Sequence, residues 1–265
     1  MKEVIETSGL HRSVSQRNTY NRCPWSYKLQ RIDKVWQRPA SWLSQGLGVH
    51  KAMEEWELSG RELPFEELVR IYEEEFIRSI DEQAQDTPNF DYWFGSGPYP
   101  GPVDIERRFA LGRTQLESLV GWSLSHPEQT TWFTPDGDPA VELGFDVELG
   151  GVKVRGFIDH IVDTPKGLTV RDIKTGSRPG DAFQLAVYSE AMRIVHGVEI
   201  NRGDYFMGKT GKPSRTVLIT DEDRAAVHEE FKELDAKIRN EEFPPNPSRN
   251  TCAMCSVKTS CEFAM

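Results

Sequence analysis

Two stretches near the middle of the chain alternate between apolar and polar residues in the way that β-strands do. Residues 152–162 and 167–174 are rich in β-branched residues, and breakers at 164–167 separate them. This alternation predicts two neighbouring strands joined as a hairpin. The hairpin would bring Asp159 on the first strand beside Asp172 on the second.

Downstream of the hairpin the pattern changes to that of a helix. Breakers fill residues 175–180, after which Asp181 can cap a helix that runs to about Gly197. Gln184 and Tyr188 are four residues apart on that helix and therefore share a face. We expect this face to meet the polar residues of the hairpin.

The remaining elements follow from local periodicity. Apolar residues at helical spacing predict three helices, which run from Trp42 to Leu58, from Pro64 to about Gln85 and from Ile105 to Ser125. Further predicted elements are short helices within 13–40 that break at Pro24, strands at 199–207 and 215–220, and a helix over 221–240.

Length and composition are those of a soluble globular protein. The 265 residues are 37% hydrophobic, enough for a sizeable core, and no apolar run approaches membrane-spanning length. Changes in local pattern divide the chain into an N-terminal helical segment (1–40), a helical annex (41–135), a core that contains the predicted strands (136–245) and a cysteine-rich tail (246–265).

The predicted hairpin carries groups suited to metal-dependent chemistry. Asp172 and Lys174 are two apart on one strand, so a carboxylate and an ammonium point to the same face. Asp159, Asp172 and the backbone carbonyl of Ile173 would form a hard oxygen site suited to Mg²⁺ or Mn²⁺. Such an ion can activate water and neutralise a phosphodiester in its transition state. Lys174 could steer or deprotonate the water, and Gln184 could orient the water or a phosphate.

Three motifs in this order resemble the RecB-like branch of the PD-(D/E)XK nuclease superfamily. They stand here as Gly156-Phe157-Ile158-Asp159, Asp172-Ile173-Lys174 and Gln184-Leu185-Ala186-Val187-Tyr188. The resemblance implies an α/β, restriction-endonuclease-like core with a mixed β-sheet flanked by helices. It also implies that the catalytic residues are Asp159, Asp172, Lys174, Gln184 and Tyr188. The family places a histidine on an upstream helix, which implies His50 as a metal ligand beside Asp159, Asp172 and Ile173.

Each of these residues has an ordinary structural interpretation when taken alone. An isolated Asp-x-Lys is most often a surface ion pair, and His50, on a helix with apolar neighbours, is more often a packing residue. Tyr188 lies among apolar residues, so burial and function are equally supported. The order of the motifs along the chain is what favours a nuclease site. Asp172 stands where many members of the family carry glutamate.

Four cysteines lie towards the two ends of the chain, Cys23 near one and Cys252, Cys255 and Cys261 at the other. The chain begins without an apolar leader, so we expect a reducing cytoplasm, where such cysteines indicate a metal or cluster site more than disulfides. Four thiolates suit tetrahedral Zn²⁺ or an iron–sulfur cluster. Cys23-Pro24 with a terminal Cys-x2-Cys-x5-Cys resembles the iron–sulfur subset of these nucleases, the AddB-type and CRISPR-associated RecB-like exonucleases. That resemblance implies a structural 4Fe-4S cluster, with zinc as the alternative.

The net charge of −10 is unusual for a DNA-binding protein, because phosphate contacts need a positive surface. Much of the acid lies in residues 54–86, which we expect to form a solvated helical face. A basic patch is formed by Arg12, Arg17, Arg22, Lys28, Arg31, Lys34 and Arg38. We expect this patch to contact the DNA backbone, with Arg22 and Lys28 foremost, and a solvated helical face is the alternative.

The aromatic segment 89–100 is interpreted as a self-packed loop, with base stacking as its alternative.

These features predict a metal-dependent exonuclease that acts on single-stranded DNA ends in phage or prokaryotic DNA repair, recombination or CRISPR adaptation. The alternative is an iron–sulfur module that holds DNA ends and docks on a helicase or recombinase without cutting. A third interpretation is a redox or zinc protein in which the Asp-x-Lys is incidental. No Walker-type phosphate loop is expected in this chain, so a helicase partner would supply any unwinding.

Overall fold

The structure is a computed structural model that describes residues 11–265. It contains two compact units, each assembled from separate stretches of the chain. The first unit comprises the described residues up to Gln37 with Gly144–Gly156 and Thr220–Met265, and the second comprises Arg38–Leu143 and Phe157–Ile219. Within the described chain, no helix combines the length and apolar character needed to cross a membrane.

Along the described chain, five α-helices precede the first strand, one α-helix lies between β4 and β5, and two α-helices follow the last strand. The helices are α1 (Val14–Arg22), α2 (Pro24–Arg31), α3 (Ser41–Leu58), α4 (Phe65–Asp86), α5 (Gly101–Leu124), α6 (Ala182–His196), α7 (Asp221–Arg239) and α8 (Arg249–Ala253). The strands are β1 (Thr130–Thr131), β2 (Val141–Leu149), β3 (Val152–Asp163), β4 (Thr169–Lys174), β5 (Arg202–Met207), β6 (Lys212–Pro213) and β7 (Val217–Leu218). Short 3₁₀ helices lie at Phe90–Tyr92 and Lys258–Ser260.

The strands form a mixed sheet in the order β1-β3-β4-β5-β6, in which β2 also pairs with β3 and β7 with β5. β3 and β4 are antiparallel, with His160 opposite Arg171, which confirms the predicted hairpin. β4 and β5 are parallel, with Lys174 beside Met207. A mixed sheet accompanied by helices agrees with the predicted fold class.

The ends of α6 are set by the two residues that the sequence pointed to. The side chain of Asp181 accepts a hydrogen bond from the backbone N–H of Gln184, which satisfies a donor of the first turn. At the other end Gly197 has φ +68°, the left-handed conformation that stops helices at low cost in glycine. The predicted helix is thereby confirmed at both ends.

The three helices predicted upstream are also confirmed, with one difference in length. α5 begins at Gly101, four residues before the predicted start at Ile105. Proline is tolerated in the first turn of a helix, where its missing N–H has no partner to lose. Pro102 therefore lies inside the helix.

α3, α4 and α5 build the core of the second unit. Their buried side chains pack with Ile173 of β4 and Phe206 of β5. Tyr72 lies at the helix crossings, where a Cβ on Gly48 would be 2.7 Å from its ring and one on Gly112 would be 2.1 Å from its hydroxyl. These two glycines let the helices approach closely.

The same packing decides which way the hairpin motif points. Successive residues of a strand project to opposite faces. Because Ile173 enters the helical core, its neighbours Asp172 and Lys174 project to the other face. That face is the one on which α6 places Gln184 and Tyr188.

The first unit joins the beginning and the end of the described chain. The backbone N–H of Arg12 donates to the carbonyl of Lys153 at 2.8 Å, and its guanidinium lies 2.6 Å from Asp235 Oδ1 in α7. The rings of Tyr20 and Tyr27 meet edge to face, with centroids 5.6 Å apart. Buried ion pairing and aromatic packing therefore hold α1, α2 and α7 together.

Candidate metal centre and catalytic residues

Asp159 lies where the pairing of β3 with β4 ends. Its Oδ2 accepts a hydrogen bond of 2.7 Å from the backbone N–H of Ile173, which takes the place of a ladder bond. Burial raises the pKa of the Asp159 carboxyl to about 7; the charge of His50 opposes this rise and that of Asp172 adds to it. This carboxyl is therefore in an environment that favours a nearby cation.

His50 reaches this carboxyl from α3. Its Nδ1 lies 3.4 Å from Asp159 Oδ2 and 3.5 Å from Glu142 Oε1, and its Nε2 donates to the carbonyl of Ile173 at 3.0 Å. Burial lowers the pKa of the imidazole, but the charges of Asp159 and Glu142 outweigh it and raise the pKa to about 9. The imidazole of His50 is therefore cationic at neutral pH and lies between the carboxylates of Asp159 and Glu142.

Glu142 was not found by sequence reasoning. It lies on β2 with φ +46°, a left-handed conformation that costs a non-glycine residue about 1 kcal/mol or more. One ligand atom each from His50, Glu142 and Asp159 lies within 4.8 Å of the others, the spacing of a metal-binding group. A single glutamate in a strand carries no sequence signal of its own, so only the structure identifies it.

Asp172 and Lys174 form the second half of the site. Lys174 Nζ lies 2.6 Å from Asp172 Oδ2 in an ion pair. Gln184 bridges the two, since its Nε2 donates to Asp172 Oδ1 at 2.6 Å and its Oε1 accepts from Lys174 at 3.1 Å. The Tyr188 hydroxyl accepts from Gln184 at 2.7 Å and lies 3.4 Å from Asp172 Oδ1. The structure therefore brings all of these predicted residues together.

The donor set is chemically suited to a divalent cation. The carboxylates of Glu142, Asp159 and Asp172 crowd into a largely buried space, and burial raises the pKa of Asp172 as it does that of Asp159. Carboxylate and carbonyl oxygens with one imidazole match the preferences of Mg²⁺ and Mn²⁺. A divalent ion would stabilise the ionised carboxylates and so offset the burial that raises both pKa values.

Comparison with protein families identifies the superfamily of the chain. The family model described as the PD-(D/E)XK nuclease superfamily matches residues 11–262, nearly the whole chain. The chain belongs to the PD-(D/E)XK nuclease superfamily. The resemblance carried by the three motifs is thus confirmed at the level of the superfamily, and its iron–sulfur RecB-like branch stays a prediction.

Two phage proteins are close relatives of this PD-(D/E)XK chain. The Gene 69 protein of Mycobacterium phage D29 is 45% identical over 258 residues, 94% of this chain and 96% of its own length. That of Mycobacterium phage L5 is 44% identical over 277 residues, 94% of this chain and 95% of its own. A crystal structure of a Eubacterium rectale protein covers 89% of this chain and 84% of its own at 14% identity, with a TM-score of 0.44.

Next to the candidate metal centre, a buried polar network anchors α3 to the sheet. Glu57 lies two turns beyond His50 and accepts hydrogen bonds from Thr131 at 3.1 Å and from Arg61 at 2.9 Å. His160 Nε2 lies 2.9 Å from the Thr131 hydroxyl. Burial lowers the pKa of His160 to about 4, so its ring is neutral at pH 7. Sequence reasoning missed this network, which holds the helix that carries His50.

The cysteines of the first unit are gathered as the sequence predicted. Cys23, Cys252, Cys255 and Cys261 line one cavity, all four are free thiols, and only Cys261 is partly exposed. Burial raises the pKa of the Cys261 thiol, and the neighbouring Cys255 and Cys23 raise it further. Among these described sulfurs, no three lie mutually within 4.8 Å.

The basic patch is less available than expected. Arg12 is 2% exposed and pairs with Asp235, Arg17 pairs with Glu230, and Lys28 lies 2.6 Å from Asp33. Acids from α7, distant in sequence, therefore neutralise part of the patch. The expectation that the whole set meets phosphates is wrong for Arg12, which is buried in its ion pair.

Residues 203–210 do match the letters of a phosphate loop, Gly-x-x-x-x-Gly-Lys-Thr, contrary to expectation. A functional loop of this kind follows a strand and opens a helix. Here Gly203 to Met207 lie within β5, and the short strand β6 follows after a turn. The match is therefore not a nucleotide-binding loop.

In the aromatic segment 89–100, Trp93 and Phe94 are buried, as a self-packed loop requires.

Proposed function

We propose that this protein is a metal-dependent DNA nuclease that degrades DNA from single-stranded ends. The observation that carries the proposal is the convergence of His50, Glu142 and Asp159 next to the Asp172–Lys174 pair. Membership of the PD-(D/E)XK superfamily supports nuclease chemistry at this convergence. The alternative of an incidental Asp-x-Lys leaves the shared site unexplained.

Mg²⁺ or Mn²⁺ would be held by His50, Glu142, Asp159, Asp172 and the carbonyl of Ile173. When bound, such an ion lowers the pKa of a water molecule and offsets the negative charge of the phosphodiester. His50 now donates to the Ile173 carbonyl, so loss of its proton would free both groups as ligands. The crowding of carboxylates supports a cation at this position.

The remaining residues position the reactants for hydrolysis. A water oxygen bonds to phosphorus while the bond from phosphorus to the leaving oxygen breaks, and the water proton passes to a base. Lys174, 2.6 Å from Asp172 and 3.1 Å from Gln184, is placed to orient that water or to accept its proton. Gln184 fixes Lys174 and Asp172 together, and Tyr188 supports Gln184.

A 4Fe-4S cluster on Cys23, Cys252, Cys255 and Cys261 is proposed for the first unit. A single zinc with Zn–S bonds of about 2.3 Å would hold its sulfurs about 3.8 Å apart. The four free thiols line one cavity, and the resemblance of their spacing to the iron–sulfur subset of these nucleases supports the cluster. A cluster bound here would cross-link residue 23 to the C-terminal tail and close a very long loop, a largely structural role.

The biological setting is proposed from the resemblance and the relatives. Single-stranded ends fit the RecB-like motif series, and the related Gene 69 proteins come from phages. DNA repair, recombination or CRISPR adaptation in the cytoplasm are the settings in which such ends arise. The sequence match at 203–210 spans the end of β5 and the turn after it and opens no helix, so a partner helicase or recombinase would supply any unwinding.

An end-labelled cleavage assay tests this function. Single-stranded and blunt duplex DNA, labelled at either end, are incubated with Mg²⁺, Mn²⁺ or chelator. We expect metal-dependent shortening from single-stranded ends by the wild type and none by Lys174→Ala or Asp172→Ala. Lys166→Ala, an exposed lysine in the turn between β3 and β4, is the control. Full activity in Lys174→Ala, or metal-independent binding without degradation by the wild type, would overturn the proposal.

A further inference from the structure

The end of the sheet beside the metal centre presents cations that the proposed chemistry does not use. Lys174 on β4 lies beside Met207 on β5, and Met207 lies opposite Lys212 on β6. Partners at one level of a sheet project from the same face. Lys212 therefore lies on the face that carries Lys174, two strands away.

On the other side of the centre the same face carries an aromatic ring. β3 is antiparallel to β4, with His160 opposite Arg171. Phe157 lies three residues from His160 on β3, and Lys174 lies three residues from Arg171 on β4, both on the side of these last paired residues that carries Asp159 and Asp172. Phe157 also precedes Asp159 by two residues and so shares its face of β3. The ring is 64% exposed, more than any other phenylalanine of the described chain.

The charges at this end of the sheet are also unusual for this protein. The chain carries 42 acidic residues against 32 lysines and arginines, and many of its cations are paired with acids. Lys209 and Lys212 are exposed, and within the described residues neither has an acidic partner within ion-pairing distance. Unpaired lysines at the edge of an acidic centre complement an anion that passes from the centre outwards.

The dimensions suit a single strand. Neighbouring strands of a sheet are about 4.8 Å apart, so β3 to β6 spans about 14 Å. This width exceeds the roughly 3.4 Å that separates neighbouring phosphates along the axis of each strand of duplex DNA, so this end of the sheet can contact more than one nucleotide. A phosphodiester at the metal centre would thus have room for a base over Phe157 on one side and phosphates near Lys209 and Lys212 on the other.

We propose that Phe157, Lys209 and Lys212 form a strand-end surface that binds the unpaired nucleotides flanking the cleaved bond. The inference rests on the proposed function, and it names the contacts that select unpaired DNA. Phe157 stacks on a base, which a duplex cannot offer because its bases are already stacked within pairs. Lys209 and Lys212 contact phosphates without reading sequence.

A binding assay tests this surface without requiring cleavage. All variants are made in the non-cleaving Asp172→Ala background and titrated with a dye-labelled single-stranded oligonucleotide or a blunt duplex. We expect Phe157→Ala to weaken single-strand binding about 10-fold and to leave duplex binding unchanged. Phe157→Trp should restore binding because it keeps a stacking face. Phe133→Ala, which removes another exposed ring, is the matched control.

The phosphate contact of Lys212 is tested separately, through the salt dependence of DNA binding. Lys212→Gln should lower the slope of log K against log salt for single strands by about 0.7, the share of one phosphate contact. Lys166→Gln, an exposed lysine at the opposite end of the β3–β4 hairpin, should leave the slope unchanged. Thermal unfolding confirms that each variant is folded.

Quenching of 2-aminopurine in the oligonucleotide gives a second measure of stacking. Loss of quenching in Phe157→Ala and its retention in Phe157→Trp support the strand-end surface. Equal weakening of single-strand and duplex binding, or unchanged single-strand binding in Phe157→Ala, overturns it. Cleavage by the wild type decides the proposed function separately, so the two failures are distinguishable.

Discussion

His50 Nδ1 lies 3.4 Å from Oδ2 of Asp159, although one residue is on α3 and the other on β3. The contact joins the helical layer of the second unit to the strand that carries the first motif. Glu142 completes this group from β2. The metal centre is therefore assembled from three elements that local sequence does not connect.

Replacing Glu142 by glutamine should weaken binding of Mn²⁺ about 10-fold or more, because one of the clustered negative charges is removed at constant size. Calorimetric titration of Mn²⁺ measures this directly, without reference to activity. Glu148→Gln removes an exposed charge from the same strand and should leave the affinity unchanged. Unaltered Mn²⁺ affinity in the Glu142 variant would exclude it as a ligand.

Gln184 and Tyr188 should differ in their importance to cleavage. Gln184 makes short hydrogen bonds to Asp172 and Lys174, so Gln184→Ala should lower kcat about 100-fold. The Tyr188 hydroxyl lies 3.4 Å from Asp172, so Tyr188→Phe should cost less than about 10-fold. Steady-state cleavage of one single-stranded substrate compares the two, with Val195→Ala on α6 as control. The opposite ranking would contradict this view of the network.

Cys261→Ser should abolish the proposed 4Fe-4S cluster. Protein purified without oxygen is expected to be brown, to contain iron and sulfide, and to bleach on reduction, whereas the variant should be colourless. The adjacent exposed Ser260→Ala should keep the colour. We also expect faster proteolysis at both termini of the variant, since the cross-link between them is lost. Colourless wild type with one zinc per chain would favour the zinc alternative.

The buried carboxyl of Asp104 on α5 should make the stability of the protein depend on pH. Burial raises its pKa, but hydrogen bonds from Ser96, Arg107 and Ser41 outweigh this and hold the pKa below 3.8. The depressed pKa contributes stability that is full well above 3.8 and is lost as pH falls through the folded value.

Asp104→Asn should therefore lower the free energy of unfolding by about 3 kcal/mol at neutral pH. The difference from wild type should shrink as pH falls below about 4, because the carboxyl of the unfolded chain then gains its proton before that of the folded protein. Urea denaturation in steps from about pH 7 to pH 3 measures both effects. Asp91→Asn, an exposed position, is the control. A difference that grows towards acid would mean that the pKa is raised instead.

Much of the candidate site followed from sequence because its parts are local. Asp172 and Lys174 share a face through the two-residue repeat of a strand, and Gln184 and Tyr188 share one through the turn of a helix. The caps at Asp181 and Gly197 fixed the limits of that helix through contacts with their own neighbours. Periodicity and capping are short-range, so the sequence alone determined these elements and the order of the motifs.

Only the tertiary structure decided which side chains of these elements come into contact with one another. It turned Asp172 and Lys174 away from the helical core, placed Glu142 beside His50, and covered Arg12 with Asp235 of α7. Each of these contacts joins residues that are distant in the chain and lie on different elements. Such contacts depend on strand register, helix crossing and burial across the whole fold, and no local pattern in the sequence encodes them.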